Sequence, residues 1–402
     1  MSNRFTIMKQ AGKILVISFL FILICPNKVS AQQNRHRIAV FSPIYLDSAF
    51  NGNTFKLWGN YLPKNMLPGL EFYDGVMMAI DSLKSDSTGN LLVDIYDYKS
   101  RNNSLAKITN DSSNNLADSK VIIASFNSRS DIKILADYGK AKQIPIISAT
   151  YPNDGGISDN PYFFLLNPTL RTHCKALYQY IQKYHTNDNV VYLTRKGGFE
   201  TMVEDFFLEY DSVNKSKALG LEPVHLVDTF YSKELTSLLD SNKQNVIFCG
   251  TINEPFAQKV ISCLSQQKEY KTTIIGMPTW DGLRNLERSE YKGVEVIYTS
   301  PYNYSKTNKI VSSVANKYKA KYNAKPSDLV FKGYETMLRF GKTISLYGSN
   351  ALQLFSDDLF KVINSIDIQP YYNKDNKTQI DFYENQKLYF IKKVDGIIKS
   401  AD

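Results

Sequence analysis

The sequence has few cysteines, and their spacing marks no familiar site. Only four cysteines occur in 402 residues. Three lie beyond the N-terminal region, at Cys174, Cys249 and Cys263, and no two are spaced as CxxC. An odd number without that pattern argues against a disulfide framework, so we expect buried thiols. A single bridge between Cys249 and Cys263 is the alternative that the sequence leaves open.

Motifs of enzyme chemistry are absent as well. The sequence contains no HExxH, GxSxG or GxxxxGK[ST] motif and no Cys/His metal spacing. Its four histidines are scattered, at His36, His173, His185 and His225. We therefore predict that the chain is not an enzyme and holds neither a cofactor nor a metal.

Dense runs of basic residues are missing too. The formal net charge is +9, but the first 31 residues hold four basic residues and no acidic one, so the remainder carries +5. A mild and evenly spread positive charge gives no support to nucleic-acid binding.

A long apolar run occurs near the N-terminus. Ile14–Cys25 follows a basic segment and precedes the small-x-small sequence Val29-Ser30-Ala31. The run is shorter than the roughly 20 residues that span a bilayer. This pattern predicts a signal peptide over residues 1–31, cleaved after Ala31, and a periplasmic or secreted protein. The alternatives are an uncleaved anchor and a lipoprotein linked through Cys25, which the bulky Leu23 and Ile24 disfavour.

Strand-like and helix-like runs alternate along the rest of the chain. Mostly apolar strands separated by helices predict parallel sheets covered on both faces. The chain is longer than a single hydrophobic core usually supports. We therefore predict an α/β protein with two Rossmann-like lobes, joined by a multi-strand hinge, with a ligand cleft between them. The first lobe comprises 37–166 plus about 300–370, and the second 167–299 plus about 371–402. The last two strands, QIDFYE and KLYFIKKVDGII, are expected to pair as a hairpin.

The order of these motifs resembles the type I periplasmic binding proteins. In particular it looks like their leucine/isoleucine/valine-binding branch, the substrate-binding proteins of ABC transporters. It extends over nearly all of Arg37 to Lys399. The segments that carry it are YDGVMMAID, the strand IYD ending at Asp97, VIIASFNSRSDIKILADYGKAKQIPIISATYP, PYFFLLNPT, SDLVFKGYETMLRFGKTI and FYENQKLYFIKKVDGII.

The resemblance implies ligand contacts in the first lobe. In this family the loop after the fourth strand contacts the α-amino and α-carboxylate groups of an amino acid, and Ser148, Ala149 and Thr150 match that loop. Small residues let the backbone approach a ligand, and hydroxyls can donate and accept. Ser128 matches a serine in the preceding loop. It is an equally good N-cap for the following helix.

The second lobe departs from the family pattern. Where the family has an acid and a Tyr-Gly pair, the sequence reads LTRKGGFE, and Phe199 is the candidate closing aromatic. Glu254 is a candidate carboxylate for a ligand ammonium, or a first-turn helix acid favoured by the dipole. Trp280 either lines the cleft or belongs to the core. Asp281 is a weaker candidate.

The resemblance implies a solute-binding protein. It would capture a small polar ligand, an amino acid or related compound, close by a hinge and deliver the ligand to a membrane ABC permease. The rival is an envelope interaction protein of the same fold, such as a regulator of peptidoglycan synthesis. The long aromatic loop from Ile44 to Pro68, with Phe55 and Trp58, favours this rival. The sequence leaves ligand, partner and oligomeric state open.

Overall fold

The computed structural model describes residues 35–401, apart from residues 58–61, 86–89, 102, 214, 216–217, 284–285, 287, 289–290 and 396. The predicted signal peptide and Trp58 lie outside the described residues. Two seven-stranded sheets with flanking helices form the fold, together with a two-stranded hairpin. The prediction of an α/β protein with two lobes is confirmed.

The first lobe begins with strands and helices that alternate between residues 36 and 165. They are β1 (His36–Ser42), α1 (Leu46–Ala49), β2 (Phe50–Asn51), β3 (Thr54–Phe55), α2 (Leu67–Ser85), β4 (Leu91–Asp97), α3 (Leu105–Asn110), β5 (Ser119–Ala124), α4 (Arg129–Lys142), β6 (Ile146–Ser148) and β7 (Phe163–Leu165). β6 and β7 are buried throughout, as expected for parallel strands with helices on both faces.

The second lobe repeats the alternation. Its elements are α5 (Leu170–Tyr184), β8 (Asn189–Thr194), α6 (Gly198–Val213), β9 (Pro223–His225), α7 (Ser232–Thr236), β10 (Asn245–Cys249), α8 (Glu254–Ser265), β11 (Thr272–Ile275) and β12 (Glu295–Ser300). β10 is completely buried and lies between β8 and β11. One continuous hydrophobic core surrounds this sheet.

The chain then returns to the first lobe before it ends in the second. The remaining elements are α9 (Lys309–Tyr322), α10 (Asp328–Tyr347), β13 (Ile368–Tyr372), β14 (Ile380–Asn385), β15 (Tyr389–Val394) and β16 (Ile397–Ser400). Helices α9 and α10 share a core with α2 on one face of the first sheet, and α3 and α4 cover the other face.

The two sheets have matching strand orders. The first runs β13-β14-β7-β6-β5-β1-β4, and the second runs β16-β15-β12-β11-β10-β8-β9. The described chain crosses between the lobes after β7, after β12 and after β14. These strands lie toward the same end of both orders, so the crossings form a hinge at one side. The predicted cleft therefore opens toward the far ends of the two sheets, at β4 and β9.

Two features of the C-terminal segment differ from the sequence prediction. QIDFYE and KLYFIKKVDGII do not pair with each other: β14 pairs with β13 and β7, whereas β15 pairs with β12 and β16. The strands from 368 to 385 therefore complete the first sheet, and only those from 389 belong to the second. The pattern of apolar residues shows which face of a strand is buried but not which distant strand it pairs with. The sequence therefore did not reveal how the C-terminal strands divide between the two sheets.

The cysteines are not bonded to one another. Cys174, Cys249 and Cys263 are all free thiols, and the first two are buried. The expectation of buried thiols is confirmed for these two. Burial raises the pKa of both Cys174 and Cys249, which makes them unreactive while the second lobe stays folded.

Candidate functional site

Most side chains at the carboxyl end of β6 are buried. Ser148 is fully buried and its hydroxyl has no hydrogen-bond partner among the described residues, while Ala149 is only 2% exposed. Thr150 is half-buried, and its Oγ1 lies 3.0 Å from Ser125 Oγ. Of the three predicted residues, Thr150 alone offers a polar side chain at the edge of the sheet.

Ser128 is the N-cap of α4. Its Oγ accepts the Asp131 amide at 3.3 Å and donates to Asp131 Oδ2 at 2.5 Å. Lys99 Nζ lies 2.7 Å from the same carboxylate oxygen. The capping alternative is therefore the role that the geometry supports, and the hydroxyl is already engaged. Because β5 and β6 are neighbours, Ser128 and Thr150 follow adjacent strands on the same edge.

The first loop of the second lobe is occupied by an internal ion-pair network. Arg195 donates to both carboxylate oxygens of Asp228, at 2.7 and 2.9 Å, and lies 3.5 Å from Glu200 Oε1. Thr251 Oγ1 donates to the same Glu200 oxygen at 2.5 Å. The Arg195 guanidinium lowers the pKa of Asp228. Phe199 is half-buried and packs against the core of this lobe.

Glu254 and Trp280 occupy different environments. Glu254 is the first residue of α8 and is exposed at the carboxyl edge of the second sheet. Trp280 is 0% exposed, and its indole N–H donates to Thr251 O at 3.1 Å. Trp280 therefore contributes to the core in this conformation and offers a ligand no surface. The structure thus leaves Thr150 on the first lobe, and Glu254 and Asp281 on the second, as the accessible polar candidates.

Lys332 lies beside the β6 loop and was not predicted. Its ammonium donates to Asn167 Oδ1 at 2.9 Å, and Asn167 Nδ2 donates to Thr150 O at 2.6 Å. The ammonium also sits 4.2 Å from the centre of the Tyr302 ring, within cation–π range. Lys332, Asn167 and Tyr302, with Ala149, line a small cavity of about 50 Å³ on the hinge side.

Two further charged residues follow Lys332 on the same face of α10. Glu335 accepts the amides of Ile363 and Asn364, at 3.0 and 2.5 Å, and Arg339 donates to Asp358 at 2.8 Å. Burial raises the pKa of Glu335. The i, i+3, i+7 spacing of Lys332, Glu335 and Arg339 among the apolar residues of α10 is the sequence signal that could have identified this polar stripe.

A larger cavity of about 470 Å³ also lies on the hinge side. Asp281, Tyr298, Tyr302 and Asp328 are among its lining residues. Tyr298 donates its hydroxyl to Asp281 Oδ1 at 2.6 Å. Burial and the nearby Asp281 carboxylate raise the pKa of Asp328. Asp281 is thus an exposed carboxylate on the second lobe that faces toward the first.

The lowered pKa of Lys332 makes stability depend on pH. Burial lowers this pKa to about 8, whereas an unfolded lysine titrates near 10.4. Between those values the unfolded chain binds a proton that the folded chain has released, so the free energy of unfolding rises with pH. We expect wild-type urea midpoints to rise relative to Lys332→Met between about pH 7.5 and 9.5. The exposed variant Lys133→Met should follow the wild type; parallel pH curves for wild type and Lys332→Met would contradict the assignment.

Among the described residues, no group of His, Cys, Asp and Glu side chains could hold a metal ion. In that same part of the chain, no helix combines the length and apolar character needed to cross a membrane.

No protein-family model matches the sequence, and comparison with curated proteins finds no match either. Solved structures do match. A putative branched-chain amino acid ABC transporter from Rhodospirillum rubrum superposes with a TM-score of 0.67 at 12% identity, covering 91% of this chain and 99% of that one. A branched-chain amino acid ABC transporter periplasmic ligand-binding protein from Burkholderia xenovorans gives 0.59 at 12% identity, covering 92% and 95%.

A third match is an ABC transporter substrate-binding protein from Desulfitobacterium hafniense, in complex with Leu. Its TM-score is 0.56 at 12% identity, with 91% of this chain and 99% of that chain covered. Identities this low establish the architecture alone. The chain has the two-lobed fold of the type I periplasmic binding proteins.

Proposed function

We propose that this protein is a secreted, non-enzymatic solute-binding protein. It captures a small polar ligand, an amino acid or a related compound, in the cleft between the lobes for ABC-type uptake. The observation that carries the proposal is the matched strand order of the two sheets, with every described crossing on one side. This arrangement lets two rigid lobes close on a ligand by a hinge. The fold shared with substrate-binding proteins over nearly their whole length supports it.

The proposed ligand contacts come from both lobes. Thr150 and the neighbouring backbone at the end of β6 serve the first lobe. Glu254 is the carboxylate for a ligand ammonium on the second lobe, and Asp281 is its nearest alternative on the same edge. Trp280 acts indirectly, because its hydrogen bond to Thr251 O fixes the loop that carries Glu254. Ser128 keeps its cap role and supports the edge of the sheet.

Substitution of Thr150 and Glu254 tests this assignment. Thr150→Ala and Glu254→Ala should each weaken ligand binding about tenfold or more, because a hydrogen bond to a charged group contributes about 1.5–3 kcal/mol. Isothermal titration calorimetry measures the effect, with a ligand identified by thermal-shift screening. Glu269→Ala, an exposed acid away from the cleft, is the matched control and should bind normally. Unchanged affinity in both test variants would refute these contacts. If only Asp281→Ala weakened ligand binding, Asp281 would be the residue that binds the ligand ammonium.

A thermal-shift screen tests the function itself. The chain from Gln32 would be screened against amino acids, short peptides and sugars. A ligand at a hundredfold excess over its dissociation constant stabilises the folded state by about 2.7 kcal/mol, which shifts the melting temperature by several degrees. A shift with one class of ligand supports solute binding and names that class. A folded sample that responds to none of them contradicts it.

One observation favours the second candidate, an envelope interaction protein of the same fold. The loop that carries a ligand-binding acid and Tyr-Gly pair in the family here pairs Arg195 with Asp228 and Glu200, so its polar groups are already engaged. A negative ligand screen together with a protein partner captured at the cleft surface would support this candidate.

A further inference from the structure

The mouth of the cleft is formed by loops far from the hinge. β1 and β4 lie at the end of the first sheet opposite the crossings, and β8 and β9 lie at the corresponding end of the second. Loops that follow these strands leave the carboxyl edges, which face the cleft. During a hinge rotation, groups farthest from the axis move most. The loops at the mouth are therefore the parts of the two lobes that approach each other most on closure.

The first lobe presents an apolar lip at this mouth, which we define as Leu46, Phe50 and Phe55. These side chains are 46%, 36% and 42% exposed. The rings of Phe50 and Phe55 meet edge to face across the β2–β3 hairpin, with centroids 5.5 Å apart. Asp97, at the end of β4, accepts the amides of Ile44, Tyr45 and Leu46 at 3.0, 3.1 and 2.8 Å. The base of this lip is thus fixed to the sheet edge.

The second lobe presents an apolar lip at the corresponding end of its sheet, which we define as Val227, Tyr231 and Ile252. These side chains are 65%, 78% and 39% exposed. Val227 and Tyr231 lie between β9 and α7, and Ile252 follows β10. The Arg195–Asp228 ion pair and the buried Thr251 hold the same loops in place. Both lips therefore combine a fixed backbone with outward apolar side chains.

We propose that the two lips form a latch that packs together when the lobes close, so that the chain closes even without a ligand. The inference rests on the hinge of the proposed function but not on any ligand. Phe50 and Phe55 touch at the surface, and such a group of exposed apolar side chains indicates a contact, because isolated exposure is common and clustered exposure is not. Because the two sheets have matching strand orders, closure of the hinge brings each lip toward the other. Packing removes both lips from water, and this burial stabilises the closed state.

Disulfide trapping tests the latch in the ligand-free chain. Asn53→Cys, in the β2–β3 turn, and Lys233→Cys, in α7, place one exposed thiol beside each lip, and Cys263→Ser removes the half-buried thiol. Under mild oxidation we expect an intramolecular cross-link, seen as a mobility shift and a loss of two thiols. Adding Phe50→Ser and Phe55→Ser should slow trapping about tenfold, because burial of a single aromatic side chain contributes more than the energy of a tenfold change. Leu359→Ser, 52% exposed and outside both lips, is the matched control and should not change the rate.

Two outcomes would overturn the latch. One is a folded double-cysteine protein that forms no cross-link, either by oxidation or with a short bis-maleimide. The other is equal trapping rates with and without the two phenylalanines. Neither experiment uses a ligand. A failure of the latch is therefore distinguishable from a failure of the proposed function. A chain that binds a solute but never cross-links loses the latch and keeps the function. A chain that cross-links but binds no solute keeps the latch.

Discussion

Trp280→Ala should lower the free energy of unfolding of the second lobe by about 3–5 kcal/mol, the usual cost of truncating a buried tryptophan. The side chain is 0% exposed and belongs to the core around the second sheet. Its ring occupies the space beside Gly276, where any side chain would collide with it. Removal would leave a cavity in the core and an unpaired Thr251 carbonyl.

The cysteines make this effect measurable in one lobe. Cys174 and Cys249 lie in the same core as Trp280, and the first lobe contains no cysteine. Labelling of these two buried thiols requires opening of the second lobe. A loss of 3 kcal/mol raises the open population about a hundredfold, so labelling should accelerate by about that factor. Trp280→Phe, which keeps an aromatic ring but loses the N–H, should have a smaller effect. If labelling of Trp280→Ala matched the wild type, Trp280 would not be a core residue.

The placement of Trp280 shows what the sequence could not decide. MPTWDG follows the apolar strand TTIIG, and this order predicts that Trp280 lies beyond the carboxyl end of that strand, where the structure has it. Whether a bulky aromatic there turns toward the cleft or the core depends on distant residues: Gly276 and Thr251 provide its space and its acceptor. Local pattern predicts the strand end and leaves the direction of the side chain open.

Elements with strong periodicity were predictable. Apolar residues at helical spacing predict a helix over Asp328–Leu346, and α10 spans Asp328–Tyr347. The apolar run IPIIS predicts a strand over Ile144–Ser148, and β6 spans Ile146–Ser148. Burial of one face of a helix or strand produces such patterns independently of residues elsewhere in the chain. The pairing of β14 with β7 joins residues more than 200 positions apart, and no local pattern encodes it.

The candidate site was only partly predictable for the same reason. Ser128, Thr150 and Glu254 were placed on carboxyl edges because each follows or begins a clearly patterned element. Lys332 was missed because it lies among apolar residues of a long helix, and its partner Asn167 comes from the first crossing. A polar residue in such a helix signals a buried partner, and only the fold shows which one it is.

Gly75→Val should lower the free energy of unfolding of the first lobe by about 3 kcal/mol or more, the upper part of the range for an overpacked core. A Cβ on Gly75 would fall well inside the van der Waals radius of Val330 O, and one on Gly333 would meet Phe72 O in the same way. The two glycines therefore let the backbones of α2 and α10 touch. A backbone carbonyl cannot rotate away as a side chain does, so the two helices must separate.

Thermal unfolding followed by circular dichroism measures this loss, and thiol labelling locates it. Labelling of Cys174 and Cys249 should stay at the wild-type rate, because Gly75 lies in the first lobe. Gly198→Ala is the matched control: its added Cβ meets nothing within 4 Å, and it opens helix α6. It should be neutral or slightly stabilising, since alanine has the higher helix propensity. A Gly75→Val protein as stable as Gly198→Ala would mean that α2 and α10 do not pack backbone to backbone.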